Sequence, residues 1–232
     1  MRTSKTAIPI DGPVASGKTT VGRSLARQLG IAYLDTGLMY RAVTWLALHK
    51  NISASDQDAL ASLADTLSIK VDDDVGSSIE INGISLKDEL VAPRIVDHVS
   101  QISKHDGVRL ALVTQQRLLA STRHIVMVGR DIGTIVLPDA NLKIYITASL
   151  PVRARRRWLE LKDKGVEVNY SQIVGSIKKR DIIDSNRSNS PLAIAEDAWK
   201  INTDNLSAKQ VTELIIQKLG EDPTNISITE PT

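Results

Sequence analysis

The chain has 232 residues, 42% apolar and 24% charged, with a formal net charge of +2. That length suits one domain with an insertion or two small domains, and no apolar run approaches the roughly 18 residues of a membrane span. There is no cysteine, which excludes a disulfide framework, a thiolate zinc site and a cysteine nucleophile, and suits a reducing cytoplasm.

At the start, Met1-Arg2-Thr3-Ser4-Lys5 meets Asp11 before an apolar stretch of leader length can form, so no signal peptide is expected. Residues 6–11 read as a short strand, weakened by Pro9, which removes a ladder donor. Residues 17–29 read as a helix with Val21, Leu25 and Leu29 on one face and Gly30 at its stop. After a short strand at 31–34, Asp35 and Thr36 cap a helix carrying Met39, Val43, Leu46 and Ala47. Residues 56–67 read as another helix, opened by Ser55. The rhythm breaks over 68–105. There Ile79 and Ile81 alternate up to Asn82-Gly83, and Ile84 and Leu86 continue in register beyond it, which predicts a tight hairpin. This stretch reads as a small inserted β-rich subdomain that returns through a helix near 95–102. Alternation resumes with a helix at 108–119, a buried parallel strand at 125–128 and a strand at 142–147. Ser149 and Pro151 open a helix to about 161. Residues 170–188 read as a helix stopped before Pro191, 199–202 as a last strand and 207–219 as a last helix. The polar tail at 223–232 reads as disordered. Strands alternating with helices predict a parallel sheet in an α/β fold.

The small net charge conceals an asymmetry. Residues 153–187 hold ten Lys and Arg against five Asp and Glu. A basic segment on a near-neutral chain suits a focused anion site better than a nucleic-acid coat, although charge alone also fits a solvated helix face. Phenylalanine is absent, and three Trp and four Tyr are too few for a platform that stacks single-stranded bases. Neither a nucleic acid nor a membrane is expected as a partner.

Gly12-Pro13-Val14-Ala15-Ser16-Gly17-Lys18-Thr19 fits G-x-x-x-x-G-K-[ST] without a mismatch, between a predicted strand and a predicted helix. The glycines let successive N–H groups face one anion, and the helix N-terminus adds its dipole. Lys18 would reach the β- and γ-phosphates, and the Thr19 hydroxyl would hold Mg²⁺. A nucleoside triphosphate is therefore expected.

A GTPase would need a base-reading N-K-x-D stretch, which is absent. Helicases and transport motors need further motifs. A small-molecule kinase remains. An alcohol acceptor requires a base to take its proton, whereas a phosphate acceptor is already ionised at pH 7, its second pKa being about 6. The difficulty is then to bring two polyanions together, and arginines on both solve it. Arginines near many predicted strand and helix ends point to a phosphate acceptor.

On several separate motifs the chain resembles the bacterial-type cytidylate kinases, of the nucleoside monophosphate kinase group. These are residues 11–20, Asp35-Thr36-Gly37-Leu38-Met39-Tyr40-Arg41, the Asn82-Gly83 insert, Val108-Arg109 with Gln116-Arg117, Gly129-Arg130-Asp131-Ile132-Gly133-Thr134, Arg180-Asp181-Ile182-Ile183-Asp184-Ser185-Asn186-Arg187, and Pro191-Leu192 leading to Glu196-Asp197-Ala198. The resemblance spans about residues 6–219. It implies a P-loop NTPase-type parallel sheet flanked by helices, with a core at 1–67 and 106–222. The 68–105 insert becomes a β-rich NMP-binding subdomain, and about 153–187 a helical lid.

The resemblance also implies roles. ATP would lie on Gly12, Pro13, Val14, Ala15, Ser16, Gly17, Lys18, Thr19 and Thr20, under Arg153, Arg156 and Arg157 of a lid that excludes water. CMP or dCMP would lie among Thr36, Tyr40, Arg41, Ser100, Arg109, Arg130, Asp131, Arg180, Asp184 and Arg187. Within that set Arg41, Arg130 and Arg187 would take the phosphate, Arg180 and Asp184 the ribose, and Arg109 and Asp131, helped by Ser100, the cytosine edge. Lys18, Arg130, Arg157 and Arg187 would be catalytic, with Mg²⁺ as cofactor. A cytoplasmic monomer is expected.

Plain alternatives stand beside these. Arg41 fits an exposed helix arginine, and Arg180–Asp184 fits a helix ion pair worth about 0.3–0.5 kcal/mol. Asp131, after an apolar strand, also fits a carboxylate holding Mg²⁺ through water; the base-reading role is preferred. Asp35 fits a helix cap or a place near the metal, and Arg155 has no fixed counterpart. The insert departs from relatives at Ser85-Leu86-Lys87 and Val91. His49, His98, His105 and His124 match no catalytic pattern. Two rival functions remain: a kinase for another monophosphate or an alcohol such as shikimate, and a regulatory module that senses ATP.

Overall fold

The computed structural model describes residues 5–71, 79–187 and 189–221. Five strands, β1 (Ala7–Asp11), β2 (Ala32–Asp35), β6 (Ile125–Gly129), β7 (Ile144–Thr147) and β8 (Trp199–Asn202), form one sheet in the order β2-β6-β1-β7-β8. Every neighbouring pair is parallel. The intervening strands, β3 (Ile69–Val71), β4 (Ile79–Ile81) and β5 (Ile84–Leu86), form a separate antiparallel sheet. β3 had no counterpart in the sequence reading. At Asn82-Gly83 both residues take positive φ, 48° and 84°, as a hairpin turn with matching twist requires.

Period-two alternation explains the layers. On β6, Ile125 and Met127 face one apolar cluster and Val126 and Val128 the other, all at 1% exposure or less. The first cluster packs against α2 (Thr36–His49), α3 (Gln57–Asp65) and α5 (Asp106–Thr122). It continues into the insert through Ile79, Ile81, Leu86 and Leu90, and through Val99 and Ile102 of α4 (Pro93–Ile102). The second cluster packs against α1 (Lys18–Leu29) and α8 (Ala208–Glu221). Burial of β6 on both faces is what a β-branched run between helical layers produces. β7 pairs with β1 only at Ile10 and Asp11, so at Pro9 that side of β1 carries no ladder.

Most element ends shift by a few residues from the sequence reading, and two boundaries and one turn differ for a specific reason. The α3 cap is Asp56, whose Oδ1 accepts from Ala59 N at 3.0 Å; Ser55 instead pairs its hydroxyl with that of Ser53. α7 (Tyr170–Ser185) ends short of the expected 188. Asp184 explains this: its carbonyl accepts from Leu192 N at 2.7 Å and its carboxylate binds Arg187, which pulls the chain off the helical path. After β6 comes a single π-helical turn, Ile132–Val136, which periodicity did not predict. The tail expectation at 223–232 lies outside the described residues.

α6 (Leu150–Asp163) packs on α7 around Ala154, Ile173 and Ile177, a third and separate cluster. Between them Gly165 has φ 71°. Among the described residues no helix is long and apolar enough to cross a membrane.

Candidate active site

Strand register decides what meets at the carboxyl edge of the sheet. Asp11 lies opposite Gly129, and Asp35 opposite Val128. The loop after β1, the start of α2 and the turn after β6 therefore leave the sheet at one level. Open α/β sheets bind ligands at such an edge.

The phosphate loop begins where only glycine fits. Gly12 has φ 155°, and a Cβ there would lie 2.1 Å from Ile146 O. Lys18 is buried, and its Nζ donates to Pro13 O at 3.1 Å. Burial, then the nearby Arg130 guanidinium, hold its pKa well below the ordinary lysine value. An approaching polyanion would offset both effects by supplying counter-charge. Thr19 Oγ1 donates to Asp35 Oδ2 at 3.2 Å, while Asp35 Oδ1 caps Gly37 N at 3.0 Å. Asp35 is thus both helix cap and neighbour of the loop hydroxyl.

A cage of arginines surrounds Asp184, which is fully buried. Arg130 Nε donates to it at 2.9 Å and Arg180 Nε at 3.2 Å, and Arg187 donates from Nη2. Burial would raise the Asp184 pKa, but the three guanidiniums outweigh it and hold the carboxyl below its usual range. Arg41 faces the same charges: burial, then repulsion by Arg180, Arg130 and Arg157, lowers its pKa against the pull of Asp35. Three arginines on one buried carboxylate leave excess positive charge, Arg41 adds to it nearby, and a phosphate complements it.

Arg109 and Asp131 form a buried ion pair, at 2% and 5% exposure. Arg109 also donates to Ser103 O at 3.1 Å, and its guanidinium sits 5.2 Å from the Tyr40 ring centroid. Burial raises the Tyr40 pKa to about 12, so the phenol stays protonated. Arg109 Nε and Arg187 Nε are buried without a hydrogen-bond partner. Such donors are expensive to leave unmet, and a bound ligand would satisfy them. Ser100 Oγ accepts from Arg180 Nη1 at 2.6 Å, which ties the insert to α7.

Other predicted residues are engaged within the fold. The Thr36 hydroxyl donates to Val128 O at 3.0 Å, pinning α2 to β6. Arg153 donates to Ala148 O and Val14 O and pairs with Asp181 at 2.8 Å. Arg156 donates to Ser16 O at 3.2 Å and to Thr203 O at 2.6 Å. These two arginines therefore hold the lid base to the phosphate loop. Arg157 pairs with Glu160 at 2.7 Å, partly in solvent. The four histidines bond to backbone atoms: His49 and His98 to carbonyls one turn back, His105 to Ala54 O, and His124 Nδ1 as acceptor from Thr6 N.

Asp11 was missed. Buried at 4% exposure, it accepts from Ile132 N at 2.9 Å and Gly133 N at 2.7 Å. Burial raises its pKa to about 6, against those two hydrogen bonds. Its place directly before Gly12 was the only signal.

The family described as cytidylate kinase matches residues 8–221. The chain is 45% identical over 215 residues to the cytidylate kinase of Caldanaerobacter subterraneus subsp. tengcongensis, covering 93% of this chain and 95% of that one. It is 44% identical over 218 residues to that of Halalkalibacterium halodurans, covering 94% and 98%. An uncharacterized protein from Eubacterium ventriosum ATCC 27560 superposes with a TM-score of 0.53 at 15% identity, over 94% of this chain and 100% of that one, a likeness of fold alone. Identity at this level, over nearly the whole of each curated chain, settles the matter: the chain belongs to the cytidylate kinase family.

Proposed function

We propose that the protein transfers the γ-phosphoryl group of ATP to CMP or dCMP, giving ADP and CDP or dCDP. An oxygen of the acceptor phosphate attacks the γ-phosphorus in line as the bond to the β–γ bridging oxygen breaks, with no covalent enzyme intermediate. The observation that carries this reading is the placement of two charge sets at one sheet edge. The buried Arg109–Asp131 pair lies near Arg187 of the Asp184 cage, and Lys18 of the loop feels the charges of Arg130 and Asp184 from that cage.

Each set matches part of an acceptor. Arg41, Arg130 and Arg187 suit the phosphate, Arg180 and Asp184 the ribose. The Asp131 carboxylate accepts from the cytosine amino group, while Arg109 donates to N3 or O2. Residues 12–20 cradle the triphosphate, and Lys18, Arg130, Arg157 and Arg187 neutralise the group in transfer. Thr36, Arg153 and Arg156 support this indirectly, by holding the backbone on which the nucleotides rest. The 68–105 insert serves the acceptor side. The 153–187 hairpin of α6 and α7, hinged near Gly165, closes over ATP. The enzyme acts as a monomer, and the lack of cysteine suits a reducing cytoplasm.

The donor set at the loop suits Mg²⁺. Thr19 Oγ1 and Asp35 Oδ2 are hard oxygen ligands 3.2 Å apart. Asp131 is committed to Arg109, which favours Asp35 for the metal and Asp131 for the base. When bound with the nucleotide, the ion spreads the charge of the β- and γ-phosphates.

A screen of ATP consumption over CMP, dCMP, UMP, AMP, GMP and shikimate tests the proposal. Turnover highest with CMP and dCMP is expected. Turnover highest with another acceptor would overturn it, and ATP binding without acceptor-dependent ADP release would leave a sensor. Arg187→Ala is expected to lower kcat by about 10²- to 10³-fold, with a smaller change in the KM for CMP, because its charge matters most with the phosphoryl group in flight. A change confined to the KM for ATP would assign Arg187 elsewhere.

A further inference from the structure

The π-helical turn Ile132–Val136 is held at both ends by side chains from distant elements. At its start the Asp11 carboxylate accepts from Ile132 N and Gly133 N, one oxygen for each. At its end Arg117, from the exposed side of α5, donates through Nε to Val136 O at 3.0 Å and through Nη2 to Ile135 O at 2.6 Å. Negative charge at the start of a turn and positive at its end match the direction of its peptide dipoles. π-Helical turns recur where a side chain must be aimed at a functional site.

We infer that Asp11 and Arg117 form a clamp that aims the Arg130–Asp131 pair, and so set acceptor affinity and base choice without touching either nucleotide. The inference rests on the base-reading role of Asp131 proposed above.

The peptide planes carry the argument. The plane joining Asp131 to Ile132 is fixed on both edges: its N–H by Asp11, and its carbonyl by Ile135 N at 2.9 Å and Val136 N at 3.2 Å. The plane joining Ile135 to Val136 is fixed likewise, its N–H on Asp131 O and its carbonyl on Arg117. Two bonds therefore separate the Arg117 guanidinium from the backbone of Asp131. Burial of the Asp131 side chain against Arg109 makes a small tilt of that backbone costly. Arg117 is at the surface and pairs with no group of the phosphate loop, so its loss should spare the ATP side.

The test compares Arg117→Ala, Arg117→Lys, Asp11→Asn and the double variant Asp11→Asn with Arg117→Ala, beside Asp131→Asn. The readouts are kcat/KM for CMP and UMP, the KM for ATP and the melting temperature. A misplacement near 1 Å can cost about 100-fold, so Arg117→Ala is expected to lose roughly 10- to 100-fold in kcat/KM for CMP. The CMP:UMP ratio should narrow and the KM for ATP stay within about twofold. Arg117→Lys should recover part of the loss, because one ammonium can donate to both carbonyls. Because both residues hold one turn, the double variant should lose less than the product of the single losses. Wild-type CMP kinetics and ratio in Arg117→Ala, whatever its melting temperature, would overturn the clamp while Asp131→Asn still narrowed the ratio. An unmoved ratio in Asp131→Asn would overturn the base-reading role and the clamp with it.

Discussion

Lys18→Ala is expected to lower phosphoryl transfer from ATP to CMP by about 10³-fold or more while leaving the fold intact. The ammonium is the one buried cation within the loop itself, and it donates to Pro13 O. In the free protein it is poorly satisfied: burial and the charge of Arg130 depress its pKa. A lysine whose pKa falls on folding makes folding less favourable at every pH below its unfolded value near 10.5. Removing it should therefore not cost stability through charge. Lys18→Met, which keeps the volume, should melt at or above the wild-type temperature, whereas Lys18→Ala adds the cost of a small cavity. Binding of ATP supplies the counter-charge, so the loss should appear in kcat as well as in ATP affinity. Near-normal turnover in folded Lys18→Met would remove this residue from the transfer step. A lower melting temperature in Lys18→Met would contradict the reading of the lysine as strained in the free protein.

Features written in local pattern were legible in the sequence. Gly12 to Thr19 sit in the expected strand–loop–helix context, Asn82-Gly83 forms its hairpin, and β8 spans the predicted 199–202. Ser207 and Gln210 bond reciprocally at the start of α8, a capping box that local sequence also encodes. What escaped depends on partners far along the chain. The turn at Ile132–Val136 carries no periodic signal, and its first N–H is taken by Asp11, 121 residues earlier. β3 exists through pairing with β4, across a segment whose local signal is weak. The early end of α7 follows from a carboxylate that must face three arginines at once.

The same distinction runs through the site. Residue types pointed to phosphate and base recognition, but not to which side chains touch ligand and which hold the frame. Arg153, Arg156 and Arg157 look alike as a cluster on one predicted helix. In the fold, Arg153 donates to Val14 O and Arg156 to Ser16 O, while Arg157 pairs with Glu160 partly in solvent. Thr36 and Arg117 likewise act on backbone carbonyls. Side chains that bond backbone leave no periodic trace, because the groups they meet are common to every residue.

Asp131→Ala is expected to narrow the preference for CMP over UMP, losing more CMP turnover than UMP turnover. In the proposed role, the Asp131 carboxylate accepts a hydrogen bond from the cytosine amino group. Uracil places a carbonyl there, and two acceptors then face each other. A buried acceptor left unpaired costs about 1–3 kcal/mol, roughly a 5- to 150-fold difference in specificity. A carboxylate offers about four acceptor positions, and the Arg109 pair occupies one, so Asp131 can serve both partners. Truncation also strands Arg109, a buried cation, and breaking such a pair typically costs about 3–5 kcal/mol of stability. Asp131→Asn separates the two effects. It keeps the shape, leaves one acceptor for Arg109, and offers an amide N–H₂ that can donate to the uracil carbonyl. In Asp131→Asn the CMP:UMP ratio of kcat/KM should fall by about 10-fold or more, with UMP turnover held or raised. Arg109→Lys should lower both substrates more evenly, since an ammonium can serve a carbonyl on either base. The same relative loss for CMP and UMP in Asp131→Asn would remove Asp131 from the base edge. A dependence on Mg²⁺ concentration steeper in Asp131→Asn than in Asp35→Asn would move Asp131 to the metal and Asp35 to its capping role alone.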